Sequence, residues 1–213
     1  MPHLRLAVLA SGRGSNLEAI LRAIDRGELD AEVAVVISNK STAGALEIAR
    51  ARGIPAVHLS ALQFSSQEEF DQALLELLER HAVNFIALAG YLKMLSPTIV
   101  RAFRHRILNI HPALLPSFGG KGLYGHYVHE AVLAYGCKVS GATVHLVDEE
   151  YDTGPPVIQE CVPVLEDDTP ETLAARVLTV EHRIYAQALQ LFAEDRVLVE
   201  GRRVRILPAK KGA

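Results

Sequence analysis

Asn109 and His111 stand two residues apart in the run Ile107-Leu-Asn-Ile-His111, and Pro112 follows at once. In a strand, that spacing turns both side chains to one face. The proline restricts His111 to extended backbone, which fixes how the imidazole is presented. An amide donor beside an imidazole can bind a developing oxyanion and pass a proton, the pairing that acyl or formyl transfer needs. A structural histidine at a strand end is the alternative that these residues leave open. His145, Asp148, Glu149, Glu150 and Asp152 form a second polar concentration, closed by Gly154-Pro155-Pro156. Acids so dense usually make a solvated loop, but one drawn against an imidazole would favour the protonated ring and fix its tautomer. Spacing does not say which one. No ligand pair has a spacing such as His-Glu-x-x-His, so no metal is expected.

A third group is Gly12-Arg-Gly14-Ser15-Asn16, placed after the apolar run Leu4–Ala10 and before Leu17, Ile20, Leu21 and Ile24 at helical spacing. Glycine lets backbone approach a ligand, and a helix N-terminus offers free N–H groups, so the turn reads as a phosphate cradle. A tight turn that needs glycine for geometry alone is the other reading. Leu17 replaces the third glycine of a dinucleotide fingerprint, and the next strand ends in Ser38-Asn39-Lys40 without a ribose-binding acid. The remaining conspicuous residues read as bland. Met94 and Leu95 look like packing residues, Lys121 a solvated charge, and Glu181-His182 an exposed polar pair.

The elements that must position these groups alternate. Strands are expected over 4–10, 33–37, 55–59, 84–89 and 107–110, with helices over 43–52 and 67–81, after Asn16 and after Pro97. That order implies right-handed crossovers and an open, mostly parallel twisted sheet with helices on both faces, Rossmann-like in its N-terminal half. After Pro112 a glycine-rich loop leads to a helix near 128–134, β-rich runs over 141–147 and 156–164, a long helix over 170–192 and a hairpin around Glu200-Gly201, making a smaller β-containing C-terminal lobe. One domain over 1–213 is expected, with halves at 1–110 and 111–213. The 213 residues are 49% hydrophobic and carry a formal net charge of −3, which excludes disorder and the basic signature of a general nucleic-acid binder. Two distant cysteines, Cys137 and Cys161, and the lack of a membrane-length apolar run point to a cytoplasmic protein.

Five stretches carry a resemblance. LASGRGSNL at the start, LAGYLKMLSP at 88–97, LNIHPALLPSF at 108–118, GATVHLVDEEYDTGPPVIQ at 141–159 and ARVLTVEHRIY at 175–185 resemble, in order and over nearly the whole chain, the folate-dependent phosphoribosylglycinamide formyltransferases. The resemblance implies formyl transfer from 10-formyltetrahydrofolate, a co-substrate, to glycinamide ribonucleotide in purine biosynthesis, without a metal, in a monomer or homodimer. It implies that Asn109 and His111 are the catalytic pair, with Asp152 completing it and holding His111 protonated. Gly14, Ser15 and Asn16 look like the phosphate turn, and Leu178, Thr179, Val180 and Glu181 the other side of the ribonucleotide site. Leu92, Lys93, Met94 and Leu95, with Asn109 and the loop Asp148, Glu149, Glu150, Tyr151 and Asp152, look like the folate pocket, formed by backbone groups. Gln67 stands where some relatives carry an arginine for the folate tail, and the loop 118–126 is longer than in many members. Two rivals share the superfamily. A methionyl-tRNA formyltransferase would need a further basic domain where only Lys210 and Lys211 follow, and a formyltetrahydrofolate deformylase usually carries an extra N-terminal domain.

Overall fold

The computed structural model of the chain describes residues 4–209, so Lys210 and Lys211 lie outside it. Strand β1, Leu4–Leu9, shows why the first run is apolar throughout. Leu4, Leu6 and Val8 enter one hydrophobic cluster, while Ala7 and Leu9 enter a second on the opposite face. A period of two with both faces covered gives a continuous apolar string, as in the middle of a parallel sheet. The chain continues through α1 (Ser15–Asp25), β2 (Ala31–Ser38), α2 (Gly44–Ala51), β3 (Ala56–His58), α3 (Gln67–Arg80), β4 (Phe85–Leu88), α4 (Pro97–Ala102) and β5 (Ile107–His111). Next come α5 (His126–Tyr135), β6 (Val139–Leu146), β7 (Pro156–Pro163), α6 (Pro170–Ala193) and the hairpin β8 (Val197–Glu200) and β9 (Arg203–Ile206). The sequence expectations match these elements to within a few residues at their ends.

Helix starts follow capping chemistry. Ser66, Ser96 and Thr169 each accept a backbone N–H of the first turn of α3, α4 and α6, and Pro97 and Pro170 open the latter two. Seven strands form one sheet in the order β3-β2-β1-β4-β5-β6-β7. The neighbours from β3 to β5 are parallel, while β6 and β7 are antiparallel additions. Because β5 pairs with β6, the sheet is continuous across the 110/111 boundary. Helices α1, α2, α5 and α6 pack on one face and α3 and α4 on the other. The chain moves outward from β1 to β3, then returns to place β4 on the other side of β1. This reversal opens a crevice at the carboxyl ends of β1 and β4, the place where open α/β sheets bind ligands. Among the described residues no helix is long and apolar enough to cross a membrane.

A buried polar group ties the long helix to this frame, and another lies buried on α5. The Tyr185 hydroxyl of α6 is fully buried and lies 3.0 Å from the carbonyls of Leu88, at the end of β4, and Leu108, within β5. Its single proton serves one carbonyl at a time, and this polar contact anchors α6 next to Asn109. His129 of α5 is 3% exposed, its Nδ1 has no partner, and burial, with His126 and His111 nearby, pushes its pKa down to about 4.

Tyr185→Phe removes the donor and with it a buried hydrogen bond to the strand carbonyls, so a loss of about 1–2 kcal/mol is expected, read as a lower urea midpoint at unchanged slope. For His129 the folded pKa lies below that of the unfolded ring, so its contribution to stability is complete above pH 6.5 and is lost as pH falls toward 4. Unfolding free energies measured at pH 7 and pH 4.5 are expected to differ by less in His129→Gln than in the wild type, by on the order of 2 kcal/mol.

Candidate active site

Asn109 and His111 leave β5 on the same face, opposite His145 and Thr143 of β6 respectively. Two polar contacts fix the His145 ring in place. Its Nδ1 lies 2.9 Å from the Leu146 carbonyl, which only accepts, so Nδ1 carries the proton. Its Nε2 lies 3.1 Å from the Asn109 amide nitrogen and 3.6 Å from Asp152 Oδ1, so it stands between a donor and an acceptor. One amide hydrogen of Asn109 is thereby held by His145, and the second is left for another acceptor. The His111 Nε2–H donates to the Phe118 carbonyl at 2.8 Å.

Asp152 sits between the two rings, with Oδ2 3.6 Å from His111 Nδ1 and Oδ1 3.6 Å from His145 Nε2. Its Oδ2 also accepts the Gly120 N–H at 2.9 Å. Burial works against its charge, but the neighbouring imidazoles and the Gly120 N–H prevail and hold its pKa below the ordinary carboxylate value. For His111 the balance runs the other way. Burial lowers its pKa, and the attraction of Asp152 and the bond to Phe118 only partly offset it. The expectation of an imidazole held protonated is therefore corrected: in this form desolvation outweighs the ion pair, and the neutral ring is favoured at neutral pH.

Backbone geometry forces Asp152 into place. It has φ of 55°, in the left-handed region that non-glycine residues seldom adopt. Two residues on, a Cβ at Gly154 would lie 1.7 Å from the Leu146 carbonyl, so only glycine lets the loop lie against β6. The Asp148 carboxylate accepts from the Glu150 N–H and the Thr153 hydroxyl, stapling the same loop. The side chains of Glu149, Glu150 and Tyr151 are exposed, and Glu149 pairs with Arg101 at 2.8 Å. This part of the loop presents backbone inward, not side chains.

At the phosphate turn Gly14 has φ of 92°, and a Cβ there would lie 2.9 Å from Ala45 Cα. The turn can therefore nest against the start of α2 only as glycine. Ser15 opens α1, and Asn16 behind it is buried, donating to the Glu181 carboxyl at 2.9 Å. Glu181 is 8% exposed, and burial raises its pKa against the opposing bond from Asn16. The reading of Glu181 as part of an exposed pair is corrected: α6 turns it into the seam with α1. Val180 is buried and Leu178 half-buried, while Thr179 is exposed and returns its hydroxyl to the Ala175 carbonyl. The Asn16 Oδ1 is buried without a partner.

In the folate segment Leu92, Lys93 and Met94 are exposed and Leu95 is buried. Met94 is 48% exposed, so it is not the packing residue that its neighbours suggested. The segment is pinned from below. The Ser96 hydroxyl donates to Asp71 of α3, and Asp71 also accepts the Gln67 amide at 2.8 Å. Gln67 is thus engaged within the fold. Lys121 is an exposed loop residue, as read from the sequence.

Spacing alone could not single out three contributors. His145 reads as a strand residue until the β5–β6 register sets it opposite Asn109, and the loop atoms Phe118 O and Gly120 N–H are backbone. The alternation of His145 with Val144 and Leu146 was the available signal. Elsewhere, a groove of about 980 Å³ runs along α1 and α6, but its arginines Arg22, Arg26, Arg183 and Arg196 are each ion-paired, and it touches none of Asn109, His111 and Asp152. Among the described residues no group of three or more His, Cys, Asp or Glu side chains could hold a metal ion.

Comparison with known proteins places this arrangement. The model of the family described as Formyl transferase matches residues 4–189. A chloroplastic phosphoribosylglycinamide formyltransferase of Vigna unguiculata is 45% identical over 194 residues, 91% of this chain and 62% of that protein. The phosphoribosylglycinamide formyltransferase of Escherichia coli is 39% identical over 91% of this chain and 89% of its own length. The chain thus spans less than two thirds of the plant relative but most of the bacterial one. A crystal structure of glycinamide ribonucleotide transformylase 1 from Symbiobacterium toebii matches with a TM-score of 0.91 at 46% identity, covering 98% of this chain and 96% of that one. A seven-stranded sheet of mostly parallel strands, an amide–imidazole–carboxylate cluster on β5, β6 and the loop after them, and a family match over nearly the whole length lead to one conclusion: this chain belongs to the formyl transferase family.

Proposed function

We propose that the chain transfers the formyl group of 10-formyltetrahydrofolate to the amine of glycinamide ribonucleotide, giving formylglycinamide ribonucleotide and tetrahydrofolate in de novo purine biosynthesis. The observation that carries this reading is the Asp152 carboxylate held 3.6 Å from both His111 and His145 while His145 holds the Asn109 amide. The phosphoribosylglycinamide formyltransferases among the relatives support the acceptor by their name, and the sequence resemblance supports the folate donor. The whole chain works as one cytoplasmic formyltransferase domain, and both of its cysteines are free thiols.

Gly14, Ser15 and Asn16 at the start of α1 offer free N–H groups to the ribonucleotide phosphate. Glu181, beside Asn16, faces the ribose and glycinamide. The backbone of 92–95 and 148–152 takes the pterin, and the formyl carbon meets the amine beside Asn109. The amine lone pair attacks the carbonyl carbon, and the C=O pair moves to oxygen. Asn109 spends its second amide hydrogen on that oxyanion, a donor worth about 100- to 1000-fold in rate. His111 begins neutral, takes a proton from the attacking nitrogen as that nitrogen becomes cationic, and passes it to N10 as the C–N10 bond breaks, directly or through one water. Asp152 stabilises the transient imidazolium. Acid–base help of this kind adds about 100- to 10000-fold. The folate already carries an activated one-carbon unit, so no covalent enzyme intermediate is required.

The direct test follows loss of the N10 formyl group by absorbance with and without glycinamide ribonucleotide. Turnover that requires the acceptor is expected, whereas acceptor-independent turnover would make the protein a hydrolase. Asn109→Ala and His111→Ala are expected to lower kcat at least 100-fold with the fold intact by circular dichroism. Asp152→Asn should cost turnover heavily while leaving ribonucleotide affinity within a few-fold. In the wild type the acid limb of kcat/KM, set by His111, should fall below pH 6.5. Because Asp152 raises the His111 pKa, the residual activity of Asp152→Asn should show that limb displaced to lower pH.

A further inference from the structure

Ser11 is absorbed neither by the phosphate turn nor by the catalytic cluster, yet it is 3% exposed and fully committed. It stands at the carboxyl end of β1, on the switch-point crevice between β1 and β4. Its backbone N–H donates to the Gly90 carbonyl at 3.0 Å. Its hydroxyl accepts the Leu92 N–H at 2.9 Å and donates to the Asn39 side-chain carbonyl, just past β2, at 2.5 Å. One side chain thus joins three loops, those after β1, β2 and β4. Gly12 follows in the chain, and its carbonyl accepts the Ala45 N–H at 3.2 Å, so the start of α2 is tied to the same turn. On one side of Ser11 lies the turn 12–16, and on the other the segment 92–95, of which Leu92, Lys93 and Met94 are exposed.

We propose that Ser11 is a positioning residue that couples the two substrate half-sites, so that ordering of the phosphate turn by the ribonucleotide also orders the folate segment through the Ser11–Leu92 bond. This inference rests on the function proposed above. The physical basis is shared ordering. A ligand that fixes residues 12–16 fixes Ser11, and a fixed hydroxyl holds the Leu92 N–H, so the second ligand meets a segment whose ordering cost is already met. Coupling of this kind is reciprocal and commonly amounts to about 5- to 100-fold in affinity. Ser11 touches neither substrate in this scheme. Its removal should weaken the coupling and leave each separate affinity nearly intact.

The test uses the full chain and two probes that do not react together, glycinamide ribonucleotide and tetrahydrofolate, titrated calorimetrically each alone and each with the other saturating. In the wild type, tetrahydrofolate is expected to bind about 5-fold or more tighter when the ribonucleotide is present. Ser11→Ala should bring that ratio to near one, with single-ligand Kd values changed less than about 3-fold, and Ser11→Thr, which keeps the hydroxyl, should restore it. Asn39→Ala, at a half-buried loop position, removes only the acceptor that orients the hydroxyl and should lower the ratio while the protein stays folded. It carries the test if Ser11→Ala does not fold. A wild-type ratio near one, or a ratio unchanged in Ser11→Ala or in Asn39→Ala, overturns the coupling and leaves the proposed reaction standing. Absence of binding by either probe to the wild type would overturn both.

Discussion

A single partly buried carboxylate sets the terms for the rest of the site. Asp152 keeps its charge where burial opposes it, because two imidazoles and the Gly120 N–H surround it. An unpaired charge in such a place would neutralise itself. The charge therefore requires that β5 and β6 pair in the observed register, which brings His111 and His145 to the same place. It also requires the loop after β6 to double back, which Gly154 permits and the left-handed backbone of Asp152 completes. The glycine-rich loop 118–125 closes the other side, with one carbonyl on His111 and one N–H on Asp152. Local strain at a polar site of this kind is held by the surrounding contacts.

The division of labour between the two histidines follows from their partners. His145 is held between a carbonyl and an amide, and its work is to aim Asn109. His111 has one nitrogen fixed to Phe118 and the other facing Asp152 without a close hydrogen bond, so its second nitrogen can gain and lose a proton. Burial keeps the ring neutral at rest, and the carboxylate lowers the cost of charging it during reaction. A permanently protonated ring would be a better oxyanion partner but could not accept the proton of the attacking amine.

Much of this architecture is legible in the sequence because its signals are local. The apolar run of β1, the period of α3 and the Ser-Pro and Thr-Pro starts of α4 and α6 depend on neighbours within a few residues. The same-face relation of Asn109 and His111 is likewise a property of one strand. What could not be read is set by register and packing. His145 meets Asn109 across 36 residues, and Asn16 meets Glu181 across 165. The helical pattern around Glu181 does not say that its polar side faces α1 and not water. The sign of the His111 shift is a competition between desolvation and one carboxylate, and residue types cannot weigh it. Family resemblance carried residue assignments further than spacing could, but it named Asn109, His111 and Asp152 without the ring that joins the first to the third.

The fold also explains why so many of the binding groups are backbone. Parallel strands end at a common edge, and where the chain leaves the paired β1 and β4 toward opposite faces its loops expose N–H and C=O groups with no neighbouring strand to pair them. A ligand placed there inherits those groups, provided the loops are held at a fixed distance from each other. Side chains in this region therefore work mainly as braces: Ser11 between three loops, Asp71 beneath Ser96, and Tyr185 behind Leu88 and Leu108. Each brace is buried, polar and bonded, so each is costly to remove and contributes no chemistry of its own. Catalysis at this edge depends on the precision with which such braces hold the backbone, and the reacting side chains need to be few because the backbone supplies the rest of the binding surface.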